Sequence, residues 1–381
     1  MTPKRIAVFL GDFFWSSIPY DGLELYNALS IDFDIDLLMF RRDIRLNKQF
    51  NGTEKFKFDT NIFKSTKNLI EMKDWGELYE LSKQYTFILA PTHICAKTRY
   101  PLDFREKINC KMIAWDIGGS DILTNAVKFA DYFCVKGEVW KEWLVRMKYD
   151  ETKIFVTGSP HYDHYLRENT IDSSLNLSSD GFRKKYNIDN SQKIILITPS
   201  NPKTHVDHFN RNVKELEKLY EKLPESVALI LKTYPSDYLH AEREHQYSGV
   251  YKSNFFGVKQ QSVWFEKKFP KIKVIESQDH FSAMKYSNAL FNMSGTHLAW
   301  ETFFVDTISY SMNHIGQPYY KNVAYLPKFV EYPDDLLNCH IDNIHDILRN
   351  RGIVQKDKCS KFLMKTNAIQ NIVGVVKGLC T

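Results

Sequence analysis

Short apolar runs alternate along the chain with polar stretches whose apolar positions recur at helical spacing. In the first half, helices are predicted over 21–29, 75–83 and 139–147. The runs that we interpret as strands are Ile6–Leu10, Asp36–Phe40, Thr86–Ala90, Met112–Trp115, Tyr132–Val135 and Ile154–Val156. Continuous apolar runs separated by helices are typical of parallel strands that are buried on both faces. The first half therefore predicts a parallel, doubly wound α/β sheet.

The pattern starts again after a stretch rich in serine and asparagine. This stretch, 168–180, has no period, and we interpret it as a linker between a domain at 1–167 and a second domain at 181–352. Residues 353–381 are predicted to be helical and could pack back on the first domain. Further strands are predicted at Ile194–Ile197, Val227–Leu231, Ile272–Ile275, Ala289–Phe291 and Thr307–Tyr310. Two Rossmann-like domains facing across a cleft would place a ligand there, at the carboxyl ends of the strands.

Residues 288–312 carry the most informative local pattern, a strand, a small-residue turn, a helix and a strand. The turn is Ser294-Gly295-Thr296, where glycine lets a phosphate approach the backbone and the first helical N–H groups favour an anion. Glu301, about one and a half turns into that helix, could accept hydrogen bonds from two ribose hydroxyls. The plainer interpretation is an ordinary capped helix start with Glu301 exposed to solvent, and the local pattern leaves both open.

Composition and charge narrow the classes of function. A chain of 381 residues suggests two domains of ordinary size, and a net charge of +5 among many charges of both signs does not indicate nucleic-acid binding. The apolar run after Lys4 and Arg5 is too short for a signal peptide, and no apolar run reaches the ~18–20 residues that span a bilayer. We therefore expect a cytoplasmic protein that binds no nucleic acid.

Cysteine and histidine spacing gives little support for a metal or a disulfide. The six cysteines are scattered without a C-x-x-C pair, so they are predicted to be free thiols in a reducing compartment. His297 and Glu301 are four residues apart, but no third ligand accompanies them, so we prefer an intrahelical contact. No metal and no cofactor is predicted.

Four segments, taken in order, resemble motifs of one group of enzymes. They are Ala130–Leu144, Phe155–Asp163 (FVTGSPHYD), Leu229–Asp237 (LILKTYPSD) and Ser294–Glu301 (SGTHLAWE). They resemble the strand-then-helix segment, "VTGxPRxD", "LKxHP" and the donor-binding "SSG…E" turn of GT-B enzymes of surface-carbohydrate synthesis. These include CDP-glycerol glycerophosphotransferases, capsule polysaccharide transferases and, more distantly, UDP-N-acetylglucosamine 2-epimerase. The resemblance spans about 111–312 and implies a GT-B fold.

The resemblance also implies a donor site in the second domain. Its predicted residues are Ser294, Gly295 and Thr296 for the phosphates, Glu301 for the ribose, Ser200 and Asn201 in the lining, and Lys232 beside the diphosphate. Tyr234 stands where the pattern has a histidine, and His161 stands where it has an arginine. These departures leave the donor nucleotide open among UDP, CMP, CDP and GDP types.

Transfer from a nucleotide donor requires the leaving phosphate to be neutralised, which backbone N–H groups and a lysine can do without a metal. An inverting enzyme also needs a base for the acceptor hydroxyl. Asp116, Asp12 and His161 are the candidates at strand ends of the first domain, with Asp121 behind them. An aspartate after a strand is also a common cap or turn residue, and a retaining enzyme would instead favour Asp237.

The sequence therefore predicts a metal-independent glycosyltransferase that acts on a glycan or lipid-linked acceptor of capsule, lipopolysaccharide or a related polymer. The alternatives are a UDP-sugar 2-epimerase or hydrolase, and a non-enzymatic nucleotide-sugar-binding partner in polysaccharide assembly. A basic helix with Trp140 and Trp143 could rest on the inner face of the cell membrane, but we prefer to interpret it as a packed amphipathic helix.

Overall fold

The chain divides into two compact units. The computed structural model describes residues 5–11, 18–40, 63, 66–92, 101, 103–116, 129–166, 177–198, 206–232, 261–275, 279–293, 298–312, 338–349 and 356–381, and elements are numbered over these residues. The first unit contains the described residues up to 166 together with 360–381, and the second contains those from 177 to 359.

The first unit is built on a seven-stranded sheet in the order β3-β2-β1-β4-β5-β6-β7. Every described pair of neighbouring strands is parallel. The strands are β1 Arg5–Phe9, β2 Asp34–Phe40, β3 Leu69–Met72, β4 Phe87–Pro91, β5 Lys111–Trp115, β6 Tyr132–Val135 and β7 Ile154–Val156. The helices are α1 Ile18–Leu29, α2 Trp75–Ser82, α3 Phe104–Lys107, α4 Glu138–Arg146 and α5 Pro160–Leu166.

The second unit repeats this architecture on a six-stranded sheet in the order β10-β9-β8-β11-β12-β13, again with parallel neighbours. The strands are β8 Lys193–Thr198, β9 Val227–Leu231, β10 Lys273–Val274, β11 Ala289–Asn292, β12 Ile308–Met312 and β13 Asn338–Ile341. The helices are α6 Ser179–Lys185, α7 Val206–Glu221, α8 Gln261–Lys268, α9 His280–Tyr286, α10 Leu298–Glu301 and α11 His345–Leu348. Two parallel sheets with intervening helices confirm the predicted α/β class.

Helix α12, Ala368–Cys380, packs on the first unit although it follows the second in sequence. Its apolar residues recur at i, i+3, i+4 and i+7 and are buried in one cluster with α1. The carboxylate of Asp163 on α5 starts this helix, because its two oxygens accept the backbone N–H groups of Ala368 and Ile369 at 2.9 and 3.0 Å. Asn367 adds a side-chain cap to the N–H of Gln370.

Two glycines let helices approach the carboxyl edge of the first sheet closely. A Cβ at Gly22 would lie 2.0 Å from Cδ2 of Leu10, so α1 rests directly on the chain that leaves β1. Gly158 has a φ of +83°, which side chains disfavour, and it turns the chain from β7 into α5. The contact at Gly22 and the turn at Gly158 bring α1 and α5 to the same edge of the sheet.

Several predicted elements need correction. The predicted linker 168–180 is too long at its end, because α6 begins at Ser179 after Ser178 caps the N–H of Gly181. Of the predicted helix at 353–381, the described residues 356–381 contain the α-helix α12 and a 3₁₀ turn at Lys356–Cys359. Helix α5 was not predicted from the sequence. Among the described residues, no helix has the length and apolar character needed to cross a membrane.

Candidate functional site

In the second unit, the structure brings together two of the predicted donor-site residues. Lys232 follows β9, and Glu301 is the last residue of α10, which follows β11. Glu301 is only 4% exposed, so its interpretation as a solvated surface residue is wrong. Desolvation lowers the pKa of Lys232, and the negative charge of Glu301 acts in the opposite direction. Lys232 therefore lies near enough to Glu301 for the charge of the carboxylate to act on it.

His280 joins this pair and was not predicted from the sequence. Its Nε2 lies 3.7 Å from Oε2 of Glu301, and its side chain is 15% exposed. Asp279 fixes the start of α9, because its carboxylate pairs with Nζ of Lys185 at 2.7 Å and accepts the hydroxyl of Tyr186. The position of His280 opposite Glu301 thus depends on an ion pair between two helices.

Buried polar side chains hold the strand ends that flank this site. Thr198 ends β8 and Asn292 ends the neighbouring β11, and both are nearly inaccessible to solvent. The amide of Asn212, on α7, donates to the carbonyl of Met293 at 3.2 Å. The backbone is therefore fixed up to the residue that precedes the predicted phosphate-binding turn.

Eight predicted site residues lie outside the described part of the chain, and their roles stay predictions. They are Asp12, Asp121, Ser200, Asn201, Asp237, Ser294, Gly295 and Thr296. The helix after the turn is shorter than the pattern predicted, since α10 ends at Glu301 and 302–306 form turns. A single helical turn contributes its free N–H groups but only a small dipole.

In the first unit, the predicted residues Asp116 and His161 both lie at the carboxyl edge of the sheet. Asp116 follows β5, is 1% exposed, and accepts the hydroxyl of Ser159 on its backbone carbonyl at 2.8 Å. His161 lies in the first turn of α5, and its side chain is 12% exposed. Of these two predicted bases, the imidazole is the more accessible.

Two further residues accompany His161 that sequence reasoning missed. Asp21, on α1, lies with Oδ2 3.9 Å from Nδ1 of His161 and with Oδ1 2.8 Å from Nε2 of His164. The three-residue spacing of the histidines was visible in the sequence. It carried no signal there, because Asp21 is 140 residues away in the sequence.

Helix α4 is a packed helix. Trp140 and Trp143 are buried, and the indole N–H of Trp140 donates to the carbonyl of Phe362 at 3.2 Å. Nζ of Lys136, itself fully buried, lies 4.4 Å from the centre of the Trp140 ring, a cation–π contact. The aromatic residues that suggested a membrane surface therefore belong to the interior of the first unit.

Two doubly wound parallel sheets, each with polar side chains at the carboxyl ends of its strands, define the class: the chain has the GT-B fold, as the sequence predicted. The wall teichoic acid polymerase TagF matches with 14% identity and a TM-score of 0.59 over 99% of this chain and 89% of that chain. The UDP-GlcNAc 2-epimerase of Methanocaldococcus jannaschii matches with 14% identity and a TM-score of 0.57 over 98% and 99%. The UDP-GlcNAc 2-epimerase of Neisseria meningitidis, in a structure with bound UDP-GlcNAc, matches with 12% identity and a TM-score of 0.55 over 99% of this chain and 99% of that chain. At these identities, the likeness shows the fold alone.

In the comparison with models of protein families, one model matches part of the chain. The model of the family described as CDP-Glycerol:Poly(glycerophosphate) glycerophosphotransferase matches residues 106–260. The resemblance that the sequence motifs indicated is therefore confirmed, over a segment that covers the end of the first unit and the start of the second. None of the curated proteins matches the chain.

Proposed function

We propose that this chain is a transferase that moves a nucleotide-activated group, a sugar or a glycerophosphate, onto a growing cell-surface polymer. The observation that carries the proposal is the buried carboxylate of Glu301 in the second unit, which has Nε2 of His280 at 3.7 Å and lies near enough to Lys232 for its charge to act on the pKa of that lysine. Buried charges are costly unless they have partners, and a site that keeps a lysine and a carboxylate together is suited to a diphosphate and a ribose diol. The family match supports transfer rather than epimerisation.

The donor would bind in the second unit. Glu301 would accept hydrogen bonds from the ribose hydroxyls, and Lys232 would approach the diphosphate, whose charge would raise its lowered pKa again. Ser294, Gly295, Thr296, Ser200 and Asn201 would complete the site with backbone and hydroxyl donors. In this arrangement, cationic and N–H groups neutralise the leaving phosphate, so we expect EDTA to leave activity unchanged.

The acceptor would lose its proton to a base of the first unit. We favour His161 because its imidazole is partly accessible and has a carboxylate nearby, whereas Asp116 is 1% exposed. Asp116 and Asp12 remain candidates for binding the acceptor. General base catalysis of this type contributes roughly 10²–10⁴-fold to the rate.

A UDP-sugar 2-epimerase is the second candidate, because structures of such enzymes share the fold over nearly the full chain. The nucleotide product separates the alternatives. Glycerophosphate transfer breaks the pyrophosphate bond and releases a nucleoside monophosphate. Sugar transfer from a nucleoside diphosphate sugar breaks the bond between the sugar and the β-phosphate and releases a nucleoside diphosphate, whereas a CMP-sugar would release CMP. Epimerisation releases neither.

The experiment is an incubation of the purified chain with CDP-glycerol, UDP-GlcNAc and other nucleotide-activated donors, each with and without a teichoic acid or glycan acceptor. Nucleotide release that requires the acceptor supports transfer, and its phosphorylation state identifies the group. A change at C2 of the sugar without nucleotide release would replace our proposal with the epimerase. Binding of a donor without turnover would indicate the non-enzymatic partner.

Glu301→Gln tests the donor site directly. The substitution keeps the shape but removes the charge that strengthens hydrogen bonds to the ribose, so we expect nucleotide affinity to fall about ten-fold or more. Glu221→Gln, on an exposed position of the same unit, is the matched control. A thermal-shift or calorimetric titration with UDP and CDP measures both. Equal dissociation constants in wild type and Glu301→Gln would remove Glu301 from the site.

A further inference from the structure

A buried carboxylate of the first unit lies between two histidines of helix α5. Asp21, on α1, is 0% exposed. Its Oδ1 lies 2.8 Å from Nε2 of His164, and its Oδ2 lies 3.9 Å from Nδ1 of His161. The histidines are three residues apart on one helix, so their side chains are neighbours along the same face. Each oxygen of one carboxylate therefore faces a different imidazole.

The two histidines differ in their access to solvent. The side chain of His164 is 2% exposed, and that of His161 is 12% exposed. The short contact with His164 holds Asp21 in place, because a buried carboxylate gains most from a hydrogen bond of good geometry. The separation from His161 is too long for a hydrogen bond but short enough for strong attraction to a protonated ring.

We propose that Asp21 is a positioning residue that stabilises His161 in its protonated state during transfer, and that His164 anchors Asp21. The inference rests on the proposed function. The acceptor O–H bond breaks, and its proton moves to Nε2 of His161, because Nδ1 faces Asp21. The oxygen's electron pair forms the new bond to the transferred group, and the nucleotide leaves with the electrons of the broken bond. Asp21 remains ionised throughout.

Other charged side chains lie on the helices that pack around this site. Among the described residues, α1 also carries the buried Glu24, one turn beyond Asp21. Asp163 on α5 is bound to the first amides of α12. Lys377 of α12 pairs with Asp32 at 2.8 Å, at the far end of α1. Asp21 itself lies within 4 Å of both imidazoles.

The first test combines kinetics with nuclear magnetic resonance of ¹⁵N-labelled histidine. In Asp21→Asn we expect kcat to fall about ten-fold or more, with the acceptor KM within two-fold of wild type. We also expect the titration of His161 to move to lower pH, because the neutral amide no longer favours the imidazolium ion. Asp36→Asn is the control, since Asp36 is another buried carboxylate of the same unit, and it pairs with Arg5 and Tyr85 instead.

The second test separates positioning from folding. If Asp21 acts through His161, then Asp21→Asn lowers kcat no further once His161 is replaced by Gln. A general structural role would lower kcat by the same factor in both backgrounds, and that result would overturn the proposal. An active wild type with an unaffected Asp21→Asn variant would also overturn it while leaving the proposed function intact. If the wild type consumes no donor, the proposed function fails, and an unshifted His161 titration then refutes the role of Asp21 separately.

Discussion

The two hydrogen bonds between Asp163 and the start of α12 allow a quantitative prediction. Asp163 is 1% exposed, and its oxygens accept the N–H groups of Ala368 and Ile369 at 2.9 and 3.0 Å. In Asp163→Ala, both N–H groups lose a charged acceptor in a buried place. Hydrogen bonds to charged groups contribute about 1.5–3 kcal/mol each, so we expect the free energy of unfolding to fall by about 3–6 kcal/mol.

Two variants calibrate this figure. Asp163→Asn keeps one carbonyl oxygen and should lose about half as much, or roughly 1.5–3 kcal/mol. Asn367→Ala removes the cap of the same helix, whose bond to the N–H of Gln370 is 3.3 Å long and exposed. It should cost about 1 kcal/mol or less. The expected order of destabilisation is therefore Asp163→Ala, Asp163→Asn and then Asn367→Ala.

The assay is hydrogen exchange of the peptide that covers 368–380, together with urea unfolding. Exchange is needed because a chain of two units need not unfold in a single step. In Asp163→Ala, the amides of α12 should exchange faster before the rest of the first unit does. If Asp163→Ala stays within about 1 kcal/mol of wild type, the carboxylate does not hold the helix and our reasoning is refuted.

Three further predictions concern the cores and the buried ionisable groups. Ile372→Ala should lower the free energy of unfolding by about 2–5 kcal/mol in urea titrations, because this fully buried side chain joins α12 to α1. Burial raises the pKa of Cys134 to about 12 and that of Cys359 to about 11, so both thiols are protonated at pH 8 and should react with Ellman's reagent only after unfolding. Rapid labelling of either in the folded protein would contradict their burial. Tyr85→Phe removes a 2.6 Å hydrogen bond to the buried Asp36 and should cost about 1–3 kcal/mol, measured by thermal or urea unfolding.

Most strands of each sheet could be predicted from the sequence, but one edge strand of each sheet could not. The boundaries of Tyr132–Val135 and Val227–Leu231 were predicted without error, because strands buried on both faces produce uninterrupted apolar runs. The strands Leu69–Met72 and Asn338–Ile341 were missed. Each lies at the edge of its sheet, where one neighbour is absent and polar residues such as Glu71 are tolerated.

The candidate site shows the same division. Glu301 was predicted because its turn and helix form one local motif, and Lys232 because it ends a strand. His280, Asp21 and His164 were missed, since a pairing between distant helices leaves no periodic signal in one sequence. The helix α5, which starts at Pro160, was not predicted, although proline is favoured in the first turn of a helix.

The return of residues 360–381 to the first unit has a consequence for synthesis on the ribosome. The seven strands of that unit are translated early, but the helix that covers Leu25, Tyr26 and Leu29 is translated only after the whole second unit. Until then, these apolar side chains of α1 stay exposed on the nascent chain, where chaperones can bind them or non-native contacts can form. For the same reason, no single cut separates two self-sufficient halves. A fragment of the first unit needs its final segment supplied, either spliced after 166 or added as a peptide.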